Sequence, residues 1–194
     1  MSELPVYKIN HNNNPIIENL INYIMDFEYE KILDVRYGEE KDGHFKGIAY
    51  YYFPDHLNKM IINTIIPFEY REYYLSKLMI INRKYIPPHI DSDILVSINL
   101  YIKTSGNSIT TFYNENSKNK LNKIKIKNQT DGYILDNNDL DKIHSIIAKK
   151  NDLWILNVKK LHSVECEIDD EERIAIVINS KILSYEETLK IFKP

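Results

Sequence analysis

The strongest constraint on this chain is the run of short β-forming segments that fills its second half. Leu78 to Asn82, Leu95 to Lys103, Ser108 to Tyr113, Lys123 to Lys127, Ile143 to Lys149, Leu153 to Val158, Ser163 to Ile168 and Arg173 to Asn179 are all rich in β-branched or aromatic residues. Clusters of Asn, Asp, Gly, Lys or Pro separate them. No helical pattern alternates with these segments, so a mainly β sandwich or jelly roll of about eight strands is expected, not a parallel α/β sheet.

The first third is more mixed. Pro15 to Met25 repeats apolar residues at helical spacing, with Asn14 placed to cap it and Pro15 suited to the first turn. Residues 31–37 and 47–53 have strand character, and Glu39 to Gly43 has the chemistry of a turn. His56 to Leu78 is ambiguous: Ile61 to Ile66 suits an extended segment, and Glu69 to Lys77 a short helix or strand. The tail, Ser184 to Phe192, forms a short helix that Ser184 can cap. At 194 residues the chain is expected to be one domain, with a core at about 78–180, support from 1–77 and a C-terminal helix.

Composition narrows the setting. The chain is 43% hydrophobic, enough for a core, yet no run approaches the roughly 18 apolar residues of a membrane span. The start, Met1-Ser2-Glu3-Leu4-Pro5, has neither the basic nor the apolar region of a secretory signal. A lone cysteine, Cys166, cannot close an internal disulfide, which fits a reducing cytoplasm. A formal net charge of -3 provides no whole-molecule basic field for nucleic acid.

The candidate chemistry centres on His89-Ile90-Asp91. Residues i and i+2 of an extended segment point to one side, so His89 and Asp91 can reach a single metal. Pro87-Pro88 stiffens the approach and is expected to end regular pairing. A second imidazole is needed from a neighbouring strand, and His162 follows the strand 153–158. Two imidazoles and one carboxylate on one face of an octahedral ion, with the other face open, is the ligand set of non-haem Fe(II) oxygenases. The triad balances one charge of the dication, so an anionic chelating ligand such as 2-oxoglutarate is favoured. Its far carboxylate then needs a cation. Arg173 opens the apolar strand Arg173-Ile174-Ala175-Ile176-Val177-Ile178-Asn179 and offers a two-pronged clamp. Tyr101 can add a hydroxyl, and Asn99, two residues earlier, shares its face.

In order, His89-Ile90-Asp91, Asn99-Leu100-Tyr101-Ile102 and Gly106 leading to Thr110-Thr111-Phe112-Tyr113 resemble the first half of an Fe(II)/2-oxoglutarate-dependent dioxygenase core. Asn151 to Asn157, Leu161-His162-Ser163-Val164 and Arg173-Ile174-Ala175-Ile176 resemble the second. The resemblance implies a double-stranded β-helix, with iron bound by His89, Asp91 and His162, and 2-oxoglutarate held at its distal carboxylate by Arg173 and Tyr101. It also implies consumption of O₂ and of 2-oxoglutarate, which leaves as succinate and CO₂, with oxidation of a C–H bond. The spacing from His162 to Arg173 is similar to that of prolyl-hydroxylase-like members. Two departures stand out: Gly106-Asn107 replaces the usual paired glycine, and Ala175 stands where AlkB-like demethylases carry a serine. The second counts against a nucleobase substrate and leaves a protein side chain or a small metabolite. The rival reading is a cupin-like domain that binds a metal or ligand without catalysis. The sequence does not fix an oligomeric state.

Other residues have plainer readings. Lys123-Ile124-Lys125-Ile126-Lys127 reads as an edge strand guarded by lysine, with a groove for phosphates or an acidic peptide as the alternative. His11, His44, His56 and His144 lack partners at ligand spacing. Nothing near Cys166 supports a nucleophilic role. Trp154 belongs to the core or the pocket wall. Asn82 is divided between the cofactor, a turn and the substrate side.

Overall fold

A computed structural model describes residues 4–11, 15–26, 33–41, 44–104, 106–114, 121–126, 129–135, 140–167 and 171–193. Among them are thirteen strands in two antiparallel sheets. The strands are β1 (Val6–Ile9), β2 (Leu33–Lys41), β3 (His44–Tyr52), β4 (Leu75–Asn82), β5 (Tyr85–Asp91), β6 (Val96–Lys103) and β7 (Ile109–Tyr113). They continue with β8 (Leu121–Ile126), β9 (Gln129–Leu135), β10 (Lys142–Ile147), β11 (Leu153–Leu156), β12 (His162–Glu165) and β13 (Arg173–Ser180). The described residues also form helices α1 (Pro15–Asp26), α2 (Asp55–Ile65) and α3 (Tyr185–Phe192) and a 3-10 turn at Phe68–Tyr73.

The larger sheet has the order β1-β11-β6-β13-β4-β3-β2 and the smaller β10-β7-β12-β5-β9-β8. From β4 to β7 the chain alternates between the sheets, and from β10 to β13 it does so again. This is a jelly-roll, double-stranded β-helix arrangement, as the strand pattern implies. The hairpin of β8 and β9 is inserted between the halves and extends the smaller sheet beyond β5, with β8 at its edge.

Strand alternation sorts the larger sheet into two faces. Ile98, Leu100 and Ile102 of β6 and Ile174, Ile176 and Ile178 of β13 pack outward, with Leu78 and Ile80 of β4. Against them lie Ile17, Leu20, Ile21 and Ile24 of α1, Leu57, Ile61, Ile62 and Ile65 of α2, and Tyr185 and Leu189 of α3. The inward face places Met79, Ile81, Tyr101, Ala175 and Val177 against Ile86 and Val164 of the smaller sheet. The outer face is apolar at every second position, while the inner face admits Ser97, Asn99, Tyr101, Arg173 and Asn179. These polar groups face a cavity between the sheets whose remaining walls are mostly apolar.

Several local expectations change. Ile61 to Ile66, ambiguous in the sequence with an extended segment as one option, belongs mostly to α2, because burial at Leu57, Ile61, Ile62 and Ile65 follows helical spacing. Packing on the sheet outweighs the β-preference of four isoleucines. Glu39 to Lys41, expected as turn, is paired strand, with Lys41 opposite His44; the Asp42-Gly43 connection lies outside the described residues, as does Asn14, the expected cap of α1. The proline pair does not end pairing. The ladder between β12 and β5 is interrupted between its His162–His89 and Val164–Ile86 partners, where Pro87 and Pro88 cannot donate, and then resumes. Strands β1, β5 and β9 are additions to the expected set, so the jelly roll has more strands than eight. The tail helix forms with a full capping box: Glu187 N donates to Ser184 Oγ at 3.2 Å, and Ser184 N to Glu187 Oε2 at 2.8 Å.

Ile61 is fully buried where α2 meets the sheet. Ile61→Ala should therefore cost about 2–5 kcal/mol in urea unfolding. A loss below about 1 kcal/mol would contradict this packing of α2.

Candidate metal centre and its cavity

The antiparallel pairing of β5 with β12 sets His162 directly across from His89. Their ring centroids are 4.3 Å apart. Asp91 lies two residues along β5, and His89 Nε2 is 3.9 Å from Asp91 Oδ1. One ligand atom from each of His89, Asp91 and His162 lies within 4.8 Å of the others. His89 and His162, 73 positions apart in sequence, thus meet through a single cross-strand register.

Both imidazoles are oriented in the same way. His89 Nδ1 lies 2.8 Å from the carbonyl oxygen of Pro87, and His162 Nδ1 lies 2.9 Å from that of Lys160. A carbonyl only accepts, so each Nδ1 carries a hydrogen, and Nε2 is the nitrogen each ring has left for a metal. This is the usual arrangement behind histidine ligands of metals. Burial, with the neighbouring His89 as a smaller cause, pushes His162 down to about 3, so its ring is neutral at physiological pH. Phe112 stacks on the other side of His162 at 5.6 Å. Two imidazoles and a carboxylate, held before any ion arrives, fit a divalent metal that accepts nitrogen and oxygen ligands.

The triad opens into a cavity of about 540 Å³ with its mouth. Arg173, 1% exposed, lines the same cavity. Its Nη2 donates to Tyr101 Oη at 2.8 Å and to Thr110 Oγ1 at 3.0 Å, and the guanidinium lies 4.7 Å over the Tyr101 ring. Nε and Nη1 are buried without a hydrogen-bond partner, and no carboxylate among the described residues pairs with Arg173. Asn99 Nδ2 lies 3.4 Å from Tyr101 Oη and takes a hydrogen bond on its own Oδ1 from Ser97 Oγ at 2.6 Å. Tyr101 Oη thus faces two donors, which leaves its own hydrogen for a further acceptor. The candidate residues His89, Asp91, Asn99, Tyr101, His162 and Arg173 all line this one cavity.

Three polar neighbours carried no role in the sequence reading. Thr110 receives a hydrogen bond from Arg173 across the sheets. Ser97 continues the polar row of Asn99 and Tyr101, and Asn179 stands on the inward face of β13 with its Oδ1 buried and unpartnered. The signal lay in alternation: Ser97, Asn99 and Tyr101 occupy every second place of an otherwise apolar strand, and Asn179 lies six residues after Arg173. Asn82 ends β4 opposite Gly47 and does not line the cavity. Trp154 packs behind it, with Nε1 donating to Asp152 Oδ2 at 3.2 Å. Cys166 is fully buried, and burial raises its thiol, so it stays protonated.

No family model matches the sequence, and no curated protein does. Solved structures do match. The epimerase SnoN, crystallised with Fe3+, alpha ketoglutarate and nogalamycin RO, is 10% identical over 91% of this chain and 79% of its own, with a TM-score of 0.53. A Pseudomonas putida prolyl-4-hydroxylase is 10% identical over 91% of each chain, with a TM-score of 0.51. E. coli ycfD is 11% identical over 95% of this chain and 52% of its own, at 0.52. The chain therefore shares its double-stranded β-helix fold with structures that include 2-oxoglutarate-dependent non-haem iron proteins.

Proposed function

We propose that this protein is an Fe(II)- and 2-oxoglutarate-dependent oxygenase, in which His89, Asp91 and His162 hold the iron and Arg173 with Tyr101 holds the distal carboxylate of 2-oxoglutarate. The observation that carries the reading is Arg173. A buried cation with two unused donor nitrogens costs several kcal/mol unless an anion joins it. It lines the same cavity as three converging metal donors. A cupin-like domain that only binds a metal has no use for such a group. Iron, 2-oxoglutarate and O₂ together supply a two-electron oxidation of a C–H bond, with the 2-oxoacid leaving as succinate and CO₂.

The chain's own residues then have separate tasks. Asp91, His89 and His162 would hold the ion through the carboxylate and the two Nε2 atoms, three ligands that leave room for a co-substrate. Arg173 Nε and Nη1, with the Tyr101 hydroxyl hydrogen, offer charge-assisted hydrogen bonds to a carboxylate at the closed end. Asn99 and Thr110 fix the partners of that cluster, and the apolar walls of Ile48, Met79, Ile81 and Val177 exclude water. Apart from Asp91 and Arg173, both already committed, none of the charged types Asp, Glu, Lys or Arg lines the cavity among the described residues. The lining formed by the described residues suits an uncharged substrate group, such as an aliphatic protein side chain or the apolar part of a metabolite. The structural likeness to a prolyl-4-hydroxylase and to an alpha ketoglutarate-dependent epimerase supports the chemistry and leaves the substrate open.

Succinate formation from 2-oxoglutarate by the protein with Fe(II) and air, without a second substrate, tests the reading. Slow turnover is expected in the wild type and none in Asp91→Ala; equal succinate from both would contradict the ligand role of Asp91. Arg173→Met separates the two sites. It should leave the ligand-free unfolding midpoint unchanged or higher, because a buried unpaired charge is removed. It should also abolish the thermal stabilisation given by 2-oxoglutarate with a redox-inert divalent metal, while metal binding alone persists. Loss of metal and 2-oxoglutarate binding together would contradict that division.

A further inference from the structure

The turn leading into His162 contains a cation that the ligand set leaves unexplained. Residues 157–160 fold tightly: Lys160 N donates to Asn157 O at 3.0 Å, and Lys159 N to Asn157 Oδ1 at 3.2 Å. Two carbonyls of this turn serve the metal strands. Val158 O accepts from Asp91 N at 3.2 Å, and Lys160 O accepts from His162 Nδ1 at 2.9 Å. Between them Lys159 reaches back across the gap. Its Nζ donates to the carbonyl oxygens of Asp91 at 2.9 Å and Ser92 at 2.6 Å.

Asp91 is the last residue of β5. On the β9 side it is paired with Gly132, but on the β12 side the ladder has no partner beyond His89 and His162. There the turn holds the Asp91 backbone at two points, its Val158 carbonyl accepting from Asp91 N and its Lys159 ammonium donating to Asp91 O. A lysine head has three donors, and two of them converge here on adjacent carbonyls in a half-buried setting.

We propose that Lys159 is a positioning residue for the metal centre. It fixes the Asp91 backbone to the same turn that aims the His162 ring, so that carboxylate and imidazole are held at a common spacing before the ion binds. The inference rests on the metal reading given above. Outer groups that orient ligands commonly change metal affinity by about 10- to 100-fold when removed.

Co(II) titrated into the metal-free protein, followed by its visible absorption bands, gives both affinity and coordination geometry without any turnover. Lys159→Met keeps most of the stem and removes the donors; Lys159→Arg restores donors in a different shape. The expected result is Co(II) binding about 10- to 100-fold weaker in Lys159→Met, with altered bands, and partial recovery in Lys159→Arg. Thermal unfolding of each metal-free variant separates this from a fold defect. Lys159→Met with wild-type affinity and bands, whatever its melting temperature, would overturn the positioning role and leave the metal reading standing. A wild type that takes up no Co(II) would overturn the metal reading and this inference with it.

Discussion

The site depends on one cross-strand register, the pairing of His162 with His89 between β12 and β5. Side chains alternate along a strand, so a slip of one residue would turn either histidine to the opposite face and break the cluster. The register is held from several directions. β12 is also paired with β7, where Phe112 stands opposite His162, and β5 is flanked by β9. The interrupted ladder at Pro87–Pro88 frees the Pro87 carbonyl to orient His89. An irregularity that weakens a sheet locally thus provides the acceptor that orients a candidate ligand.

The second constraint is the burial of Arg173 between the sheets. β13 is buried along its whole length, with isoleucines facing the helices, Arg173, Val177 and Asn179 lining the cavity, and Ala175 packed between the sheets. Tyr101 and Thr110 satisfy one nitrogen of the guanidinium and leave two. Such a cluster stabilises the empty fold poorly, and its partly unmet hydrogen bonds are the physical counterpart of affinity for an anion. A metal-facing end and an anion-facing end in one cavity favour a ligand that carries both a chelating group and a distant carboxylate.

The strand-rich core, the capped tail helix and the six candidate residues were legible in the sequence because each rests on a local period or a distinctive residue type. His89 and Asp91 share a face by alternation alone. The failures have local causes. Ile61 to Ile66 is ambiguous in the sequence because β-branched side chains signal strand until the buried spacing is known. β5 and β9 were obscured by residues that disfavour pairing, Pro87-Pro88 in one and Asp131-Gly132 in the other. The Lys159 staple had no sequence signal, since its partners are backbone carbonyls 68 and 67 residues away.

The central claim is that one ion and one 2-oxoacid occupy this cavity together, and it is tested most directly by an anaerobic absorption spectrum of the protein with Fe(II). Adding 2-oxoglutarate should produce a weak visible band, from chelation of the iron, that saturates at one equivalent and is absent with succinate. A spectrum unchanged by 2-oxoglutarate, in protein that has bound Fe(II), would contradict it.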